Sequence, residues 1–156
     1  MGPETDQTRR LQVTEYFRAR LAEEGRRCER YHRPFAVVFV SCPQTDPRDI
    51  FNYLRPFLRC TDIVEIIRSR PRLPRPAPGA PPRQPALGEN ALRDRVAMIL
   101  PETGRDGAER TLQRLQAQCT KLGDMRLGCA VFPDDSRNPP ELLGKAAAAA
   151  GEAFHV

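Results

Sequence analysis

Residues 90–115, NALRDRVAMILPETGRDGAERTLQRL, spell a strand, a turn and a helix in close succession. Val96 to Leu100 is an unbroken apolar run, the pattern of a strand covered on both faces. Pro101 stops it, because proline has no N–H to give to a ladder. Thr103 followed by Asp106 predicts a helix N-cap with its capping-box partner. Ala108, Leu112, Leu115, Cys119 and Leu122 then repeat at helical spacing, predicting a helix over about 104–122. The stretch upstream is different in kind. Ser69 to Gly88 holds seven prolines and no apolar period.

Working outward, residues 8–31 predict a long helix with Val13, Phe17, Leu21 and Cys28 on one face, ended by Pro34. Phe35 to Val40 reads as a buried strand, rich in Val and Phe. Residues 47–58 repeat Ile50, Leu54 and Leu58 every fourth position, and Pro56 should kink or restart that helix. Asp62 to Ile67 is a second strand, and Leu127 to Phe132 a fourth. Asn138-Pro139-Pro140-Glu141 is a helix start, with Asn at the cap and Pro at the first position. The alanines up to Ala150 allow that last helix to pack closely. The order is αβαββαβα. It predicts an α/β sandwich with one central mixed or antiparallel sheet flanked by helices, its two middle strands forming an antiparallel hairpin. The expectation is one domain over residues 1–156, with a disordered Pro/Arg-rich insert at about 69–90 in the central hairpin.

The bulk numbers narrow the function classes. The chain has 156 residues, enough for one domain that buries roughly two-thirds of its unfolded surface. Its 16 prolines are about twice the usual share. The five cysteines are scattered without a CxxC pair, mostly inside apolar runs, which predicts buried free thiols. His32 and His155 have no metal-ligand spacing around them, so neither a metal nor another cofactor is expected. The N-terminus has no apolar signal segment, and the longest apolar run is far short of a membrane span. A soluble, cytoplasmic chain is the expectation. The net charge is +5, and five arginines (68, 70, 72, 75 and 83) with no acid lie between Ile66 and Gly88. The other 20 basic and 20 acidic residues balance.

Several phrases resemble the GGDEF family, the diguanylate cyclases. YFRARLAEEGRRCERYHRPFAVVFV is similar to its first helix and strand. LRCTDIVEIIR is similar to the approach to its signature hairpin, and VAMILPETGRDGAERTLQRL to the strand and helix that leave it. LGCAVFPDD and ELLGKAAAAAGEA resemble its later strand and final helix. The pieces occur in the family's order over about residues 16–153.

The resemblance implies a site, and this sequence departs from it. An Asp that holds metal at the end of the family's first strand corresponds to Ser41, and a second Asp to Pro43. The segment that holds guanine is missing between Pro43 and Pro47. The five signature positions hold Leu92, Arg93, Asp94, Arg95 and Val96. Both glycines, which allow close backbone approach to a phosphate, are gone. Arg95 stands where the catalytic acid belongs, so a guanidinium would repel the divalent cations that carboxylates attract. Asp94 alone cannot organise a metal-clamped phosphoryl transfer. A hairpin tip relieved of catalysis can lengthen cheaply: growth from about four to about 24 residues costs only about 1.5 kcal/mol of closure entropy.

One family feature persists. Many members carry an Arg-x-x-Asp turn that binds cyclic di-GMP, and Arg59-Cys60-Thr61-Asp62 matches it. A guanidinium suits phosphate and the Hoogsteen edge of guanine, and a carboxylate accepts from guanine N–H groups. The same residues also serve as a capped, solvated turn, and both readings stand. The insert contains three Pro-x-x-Pro spacings, starting at Pro71, Pro78 and Pro82, that suit either a solvated spacer or a polyproline II ligand. It has no aromatic residue for base stacking, which argues against nucleic acid.

The expected function is a catalytically inactive GGDEF-like regulatory or protein-interaction module in bacterial signalling. Its partner would be a protein of unknown identity, with cyclic di-GMP at Arg59 and Asp62 as the ligand-binding version and homodimerisation left open. The alternative is an active nucleotide cyclase or phosphotransferase with a divergent site, using Glu65, Asp94 or Glu102.

Overall fold

The computed structural model describes residues 9–42, 45–71, 77–79, 95–118, 125–151 and 154–155. The elements in chain order are β1 (Arg9–Gln12), α1 (Glu15–Tyr31), β2 (Phe35–Ser41), α2 (Pro47–Leu54), a 3-10 turn (Arg55–Phe57), β3 (Ile63–Pro71), β4 (Arg95–Leu100), α3 (Arg105–Gln118), β5 (Arg126–Phe132), α4 (Pro139–Ala149) and β6 (Phe154–His155).

Local chemistry sets most of the boundaries. Thr14 caps α1, its hydroxyl oxygen accepting from the Phe17 N–H at 3.2 Å. The helix therefore starts at Glu15, and the expected helical start at residue 8 is corrected: Arg9–Gln12 is strand. His32 ends α1 in the left-handed region (φ 54°), two residues before Pro34. Pro56 restarts the chain as the 3-10 turn, as its missing N–H requires. Thr103 is not the cap of α3. Its buried hydroxyl donates back to the Pro101 carbonyl at 2.9 Å, and the helix begins at Arg105. Before α4, Asn138 holds the cap position without a side-chain bond, and Ser136 instead donates to Glu141 at 2.9 Å.

The sheet order is β5-β2-β4-β3-β1-β6. Its central four strands are all antiparallel, so the unit β2-α2-β3-β4-α3-β5 is a split βαβ repeat. β3 and β4 form the expected antiparallel pair, from Ile63 opposite Ile99 to Ile67 opposite Arg95. From Arg68 on, β3 pairs with β1 on its other edge, Arg68 opposite Gln12 through Pro71 opposite Arg9. The expected insert boundary at residue 69 is corrected in one respect: Ser69, Arg70 and Pro71 continue the strand. Pro71 is tolerated there as the last residue of the strand. The rest of the proposed insert, apart from residues 77–79, lies outside the described residues.

Helices cover both faces of the central strands, which explains the unbroken apolar runs. In β2, Phe35, Val37 and Phe39 face α1 and α4, while Ala36, Val38 and Val40 face α2 and α3. Phe35 lies opposite Phe132, with ring centroids 5.1 Å apart, a pairing worth about 0.5–1.5 kcal/mol beyond its burial. The thiols follow the layers in part: Cys28 and Cys42 are buried and Cys129 is half-buried, but Cys60 is exposed and corrects the expectation of buried cysteines. Burial pushes the Cys28 thiol up, with Glu29 and Asp134 adding to it. No helix among the described residues is long and apolar enough to cross a membrane.

Candidate functional site

Two ends of the sheet carry the residues singled out in the sequence. At one end, Ser41 closes β2 and Arg95 opens β4. Both are buried, with 1% and 4% of their surface exposed. Val96 follows in β4, buried between Val40 and Ile66. Pro43, Leu92, Arg93 and Asp94 lie outside the described residues. What is described here is a seryl and an arginyl residue buried at the sheet end.

The other acids considered for chemistry are dispersed. Glu65 sits in mid-β3 opposite Ala97, where the Thr14 hydroxyl lies 2.6 and 2.7 Å from its two oxygens. Glu102 follows the far end of β4 in a left-handed backbone (φ 50°), paired to Arg33 at 2.8 Å. Several strand residues, at about 3.4 Å each, separate it from Ser41. Among the described residues no three His, Cys, Asp or Glu side chains come together as a metal site.

The Arg59–Asp62 turn is at that far end. It joins the 3-10 turn to β3 and is closed from both sides. The Arg59 N–H donates to Asp62 Oδ2 at 2.8 Å, and the Asp62 N–H donates to the Arg59 carbonyl at 3.0 Å. One carboxylate oxygen is therefore used by the turn, and the other retains its lone pairs. The Arg59 residue is exposed, and its guanidinium has no hydrogen bond or ion pair among the described residues.

This turn forms one wall of a groove of about 770 Å³. The groove follows from the sheet. β1 covers only the second half of β3, from Arg68 onward, so among the described residues the first half presents an unpaired edge between the two helical layers. α1 supplies Tyr16, Arg20 and Arg27 to the groove, and α2 with its 3-10 turn supplies Phe51 and Arg55. Four arginines face two acids, Asp62 and Glu102. Each cation except Arg59 is held. Arg20 donates to Glu23 at 2.8 Å and reaches Glu24 at 3.5 Å, while Arg27 lies 3.3 Å from Glu24 and 3.9 Å from Glu102. Arg55 lies over the Phe51 ring, 5.9 Å from its centroid. Glu24 is 3% exposed, so the two arginines on it neutralise a charge that burial alone would penalise.

The sequence reading found Arg59 and Asp62 but missed Tyr16, Arg20, Arg27 and Arg55. The signal was available on α1: positions 16, 20 and 27 share a helical face beside the apolar stripe. Nothing in the sequence said that this face would meet the turn at residue 59, since the two are distant along the chain.

No family model matches the sequence, and no curated protein matches it at a significant level. Solved structures do match in fold. The chain is similar to a DGC protein from Thermotoga maritima, at 15% identity and a TM-score of 0.57, over 92% of this chain and 98% of that one. It is similar to the diguanylate cyclase SiaD of Pseudomonas aeruginosa, solved in complex with its activator SiaC, at 14% identity and a TM-score of 0.56. That match covers 86% of this chain and 52% of the other, so the chain spans about half of SiaD's length. A sensory box/GGDEF family protein from Caulobacter crescentus matches at 14% identity and a TM-score of 0.52, over 85% of this chain and 86% of that one. With its split βαβ core, flanking helices and strand order, the chain has the fold of a GGDEF, or diguanylate cyclase, domain.

Proposed function

We propose that this chain is a catalytically inactive GGDEF-like regulatory module that binds cyclic di-GMP in the groove beside Arg59 and Asp62. The observation that carries the reading is the exposed, unpartnered Arg59 guanidinium on the rim of an arginine-lined groove. A dinucleotide offers two phosphates and two guanines, and guanidinium groups bind both phosphate oxygens and guanine O6/N7. The free oxygen of Asp62 suits guanine N–H donors. Loss of catalysis is supported by the other sheet end, where Ser41 and Arg95 occupy the positions that the family fills with metal-binding acids. Divalent cations need oxygen ligands, and a buried guanidinium opposes them.

Calorimetric titration of the chain with cyclic di-GMP, and separately with GTP and Mg²⁺, tests this. Micromolar binding of cyclic di-GMP that Arg59→Ala weakens at least tenfold is the expected result. Absence of heat at 1 mM ligand would refute it.

A second reading is docking of a protein, and the exposed aromatic rings of α1 favour it. Tyr16 and Tyr31 are 61% and 59% exposed, and exposed tyrosines commonly anchor interfaces. SiaD, with the same fold, is solved with a protein activator. The two readings separate on Arg59→Ala, which leaves docking through Tyr31 intact.

A further inference from the structure

A second cavity, of about 470 Å³, lies where the C-terminal end of α1, the entry to β2 and the loop after β5 meet just ahead of α3. None of its lining residues belongs to the groove beside Arg59. Its size suits a small organic molecule. The floor is apolar: Cys28 and Phe132 are buried there, with Pro34 and Pro133 beside them. The rim is charged. Glu29 and His32 come from the end of α1, and Asp134 and Arg137 from the loop that leads to α4. All four are exposed, and among the described residues none of their side chains has a hydrogen bond or ion pair. Burial is the main reason the Cys28 thiol is held above its ordinary value, and the charges of Glu29 and Asp134 add to it. Both carboxylates are therefore within electrostatic reach of the floor.

Two carboxylates and a guanidinium without partners, set around one apolar floor, define the chemistry of an occupant. A purely apolar guest would strip water from charged groups and replace it with nothing. A dianion such as cyclic di-GMP would meet both acids. A metal ion is not matched either: Cys28, Glu29, His32 and Asp134 do not come together as a metal site among the described residues. We propose that this cavity binds a free α-amino acid with an apolar side chain, its ammonium taken by Glu29 and Asp134, its carboxylate by Arg137, and its side chain laid against Phe132 and Cys28. One small zwitterion answers both signs of charge on the rim, through charge-assisted bonds, and covers the floor as well. Gly104 keeps the cavity open. A Cβ there would already stand 3.4 Å from Pro34 Cγ, so a longer side chain in its place would fill space the ligand needs.

Calorimetric titration of the full chain with L-phenylalanine and with L-leucine tests this. At least one is expected to bind with a Kd below about 1 mM. The matching acid without the ammonium (3-phenylpropionate or 4-methylpentanoate) and the matching amine without the carboxylate (phenethylamine or isopentylamine) should each bind at least about fivefold more weakly. Glu29→Gln and Arg137→Ala should each weaken the amino acid by at least about fivefold, and Gly104→Leu should abolish its binding. Glu29 and Arg137 are exposed and unbonded, so their variants keep the fold and remain decisive if Gly104→Leu does not fold. Arg59→Ala, in the separate groove, should bind the amino acid as the parent chain does. Absence of binding of both amino acids at about 10 mM overturns the inference. So does an acid or amine that binds as tightly as its amino acid, or binding by both charge variants within about twofold of the parent chain.

Discussion

Asp62 and Arg59 hold each other through the backbone: the Arg59 N–H donates to the Asp62 carboxylate at 2.8 Å, and the Asp62 N–H returns to the Arg59 carbonyl at 3.0 Å. The carboxylate thus has a structural duty as well as any part in ligand binding, and two substitutions separate them. Asp62→Ala loses the turn bond and is expected to lower unfolding free energy by about 1 kcal/mol. Asp62→Asn keeps an acceptor oxygen and is expected to unfold within about 0.5 kcal/mol of the parent chain. Both should weaken cyclic di-GMP, because Asn lacks the charge that strengthens a bond from guanine N–H. Equal affinity in parent and Asn variant would assign Asp62 to the turn alone.

Incubation with GTP and Mg²⁺ is expected to yield no cyclic di-GMP. A transfer between two triphosphates depends on metal ions to spread the charge on the moving phosphoryl group. On the correspondence drawn from the sequence resemblance, Ser41 and Arg95 supply no carboxylate at the family's metal-ligand positions. Product detected by chromatography, and lost in Asp94→Ala, would make the chain a divergent cyclase.

Gly128 lets α4 lie directly on β5. A Cβ at this position would stand 2.1 Å from the Ala146 carbonyl oxygen and 2.5 Å from the Ala150 nitrogen. Both obstacles are backbone, so neither can rotate away. Gly128→Ala is expected to cost more than 2 kcal/mol, since overpacking a close helix–strand contact shifts the backbone. Ala146, Ala147 and Ala150 are buried in the same contact. Denaturant unfolding measures the loss, and a variant as stable as the parent would show that α4 can lift off the sheet at little cost.

Among the four cysteines whose surroundings are described, Cys60 is the exposed one, and it lies in the wall of the groove between Arg59 and Thr61. Cys28 and Cys129 have their thiols pushed up by burial, although Arg105 works the other way on Cys129. Nucleophilic thiolate is correspondingly scarce at both. Cys60 is expected to react with a chromogenic disulfide well before these two, and Cys60→Ser should remove one fast equivalent. Bound cyclic di-GMP should slow that equivalent. A rate that saturating ligand does not change would place the ligand away from the groove.

The central strands were legible because burial on both faces leaves an unbroken apolar signature. Val96 to Leu100 and Phe35 to Val40 could hardly have been anything else. β1 was not legible. Arg9-Arg10-Leu11-Gln12 has no strand pattern of its own and is extended because it pairs with the edge of β3 that faces away from β4. Thr103 misled for a related reason: it is a good cap by type, but a nearer carbonyl at Pro101 took its hydroxyl. At the groove, the sequence could mark Arg59 and Asp62 because their partnership is local. Arg20, Arg27 and Arg55 come to the same place only through the packing of α1 and α2 around the bare half of β3.

Asp135 gives the fold a dependence on pH that can be measured. Its Oδ2 accepts from the Val131 N–H at 2.7 Å and from Arg105 at 2.6 Å, tying the end of β5 to α3. Burial works to raise its pKa. The Val131 bond, the Arg105 bond and charge, and the Lys145 charge outweigh it, and the carboxyl is held below the usual carboxylate value. A group depressed on folding stabilises the protein above its unfolded value, about 3.9, and that contribution is lost as pH falls through its folded value. Asp135→Asn is therefore expected to be less stable at pH 7 by about 1–2 kcal/mol, the range for hydrogen bonds to a charged group that is partly screened by solvent. The gap between variant and parent should stay constant from pH 7 down to about 5 and narrow below about 4. Urea unfolding at pH 7, 5, 4 and 3 measures it. A gap that is the same at pH 3 as at pH 7 would mean that Asp135 contributes through its shape and not its charge.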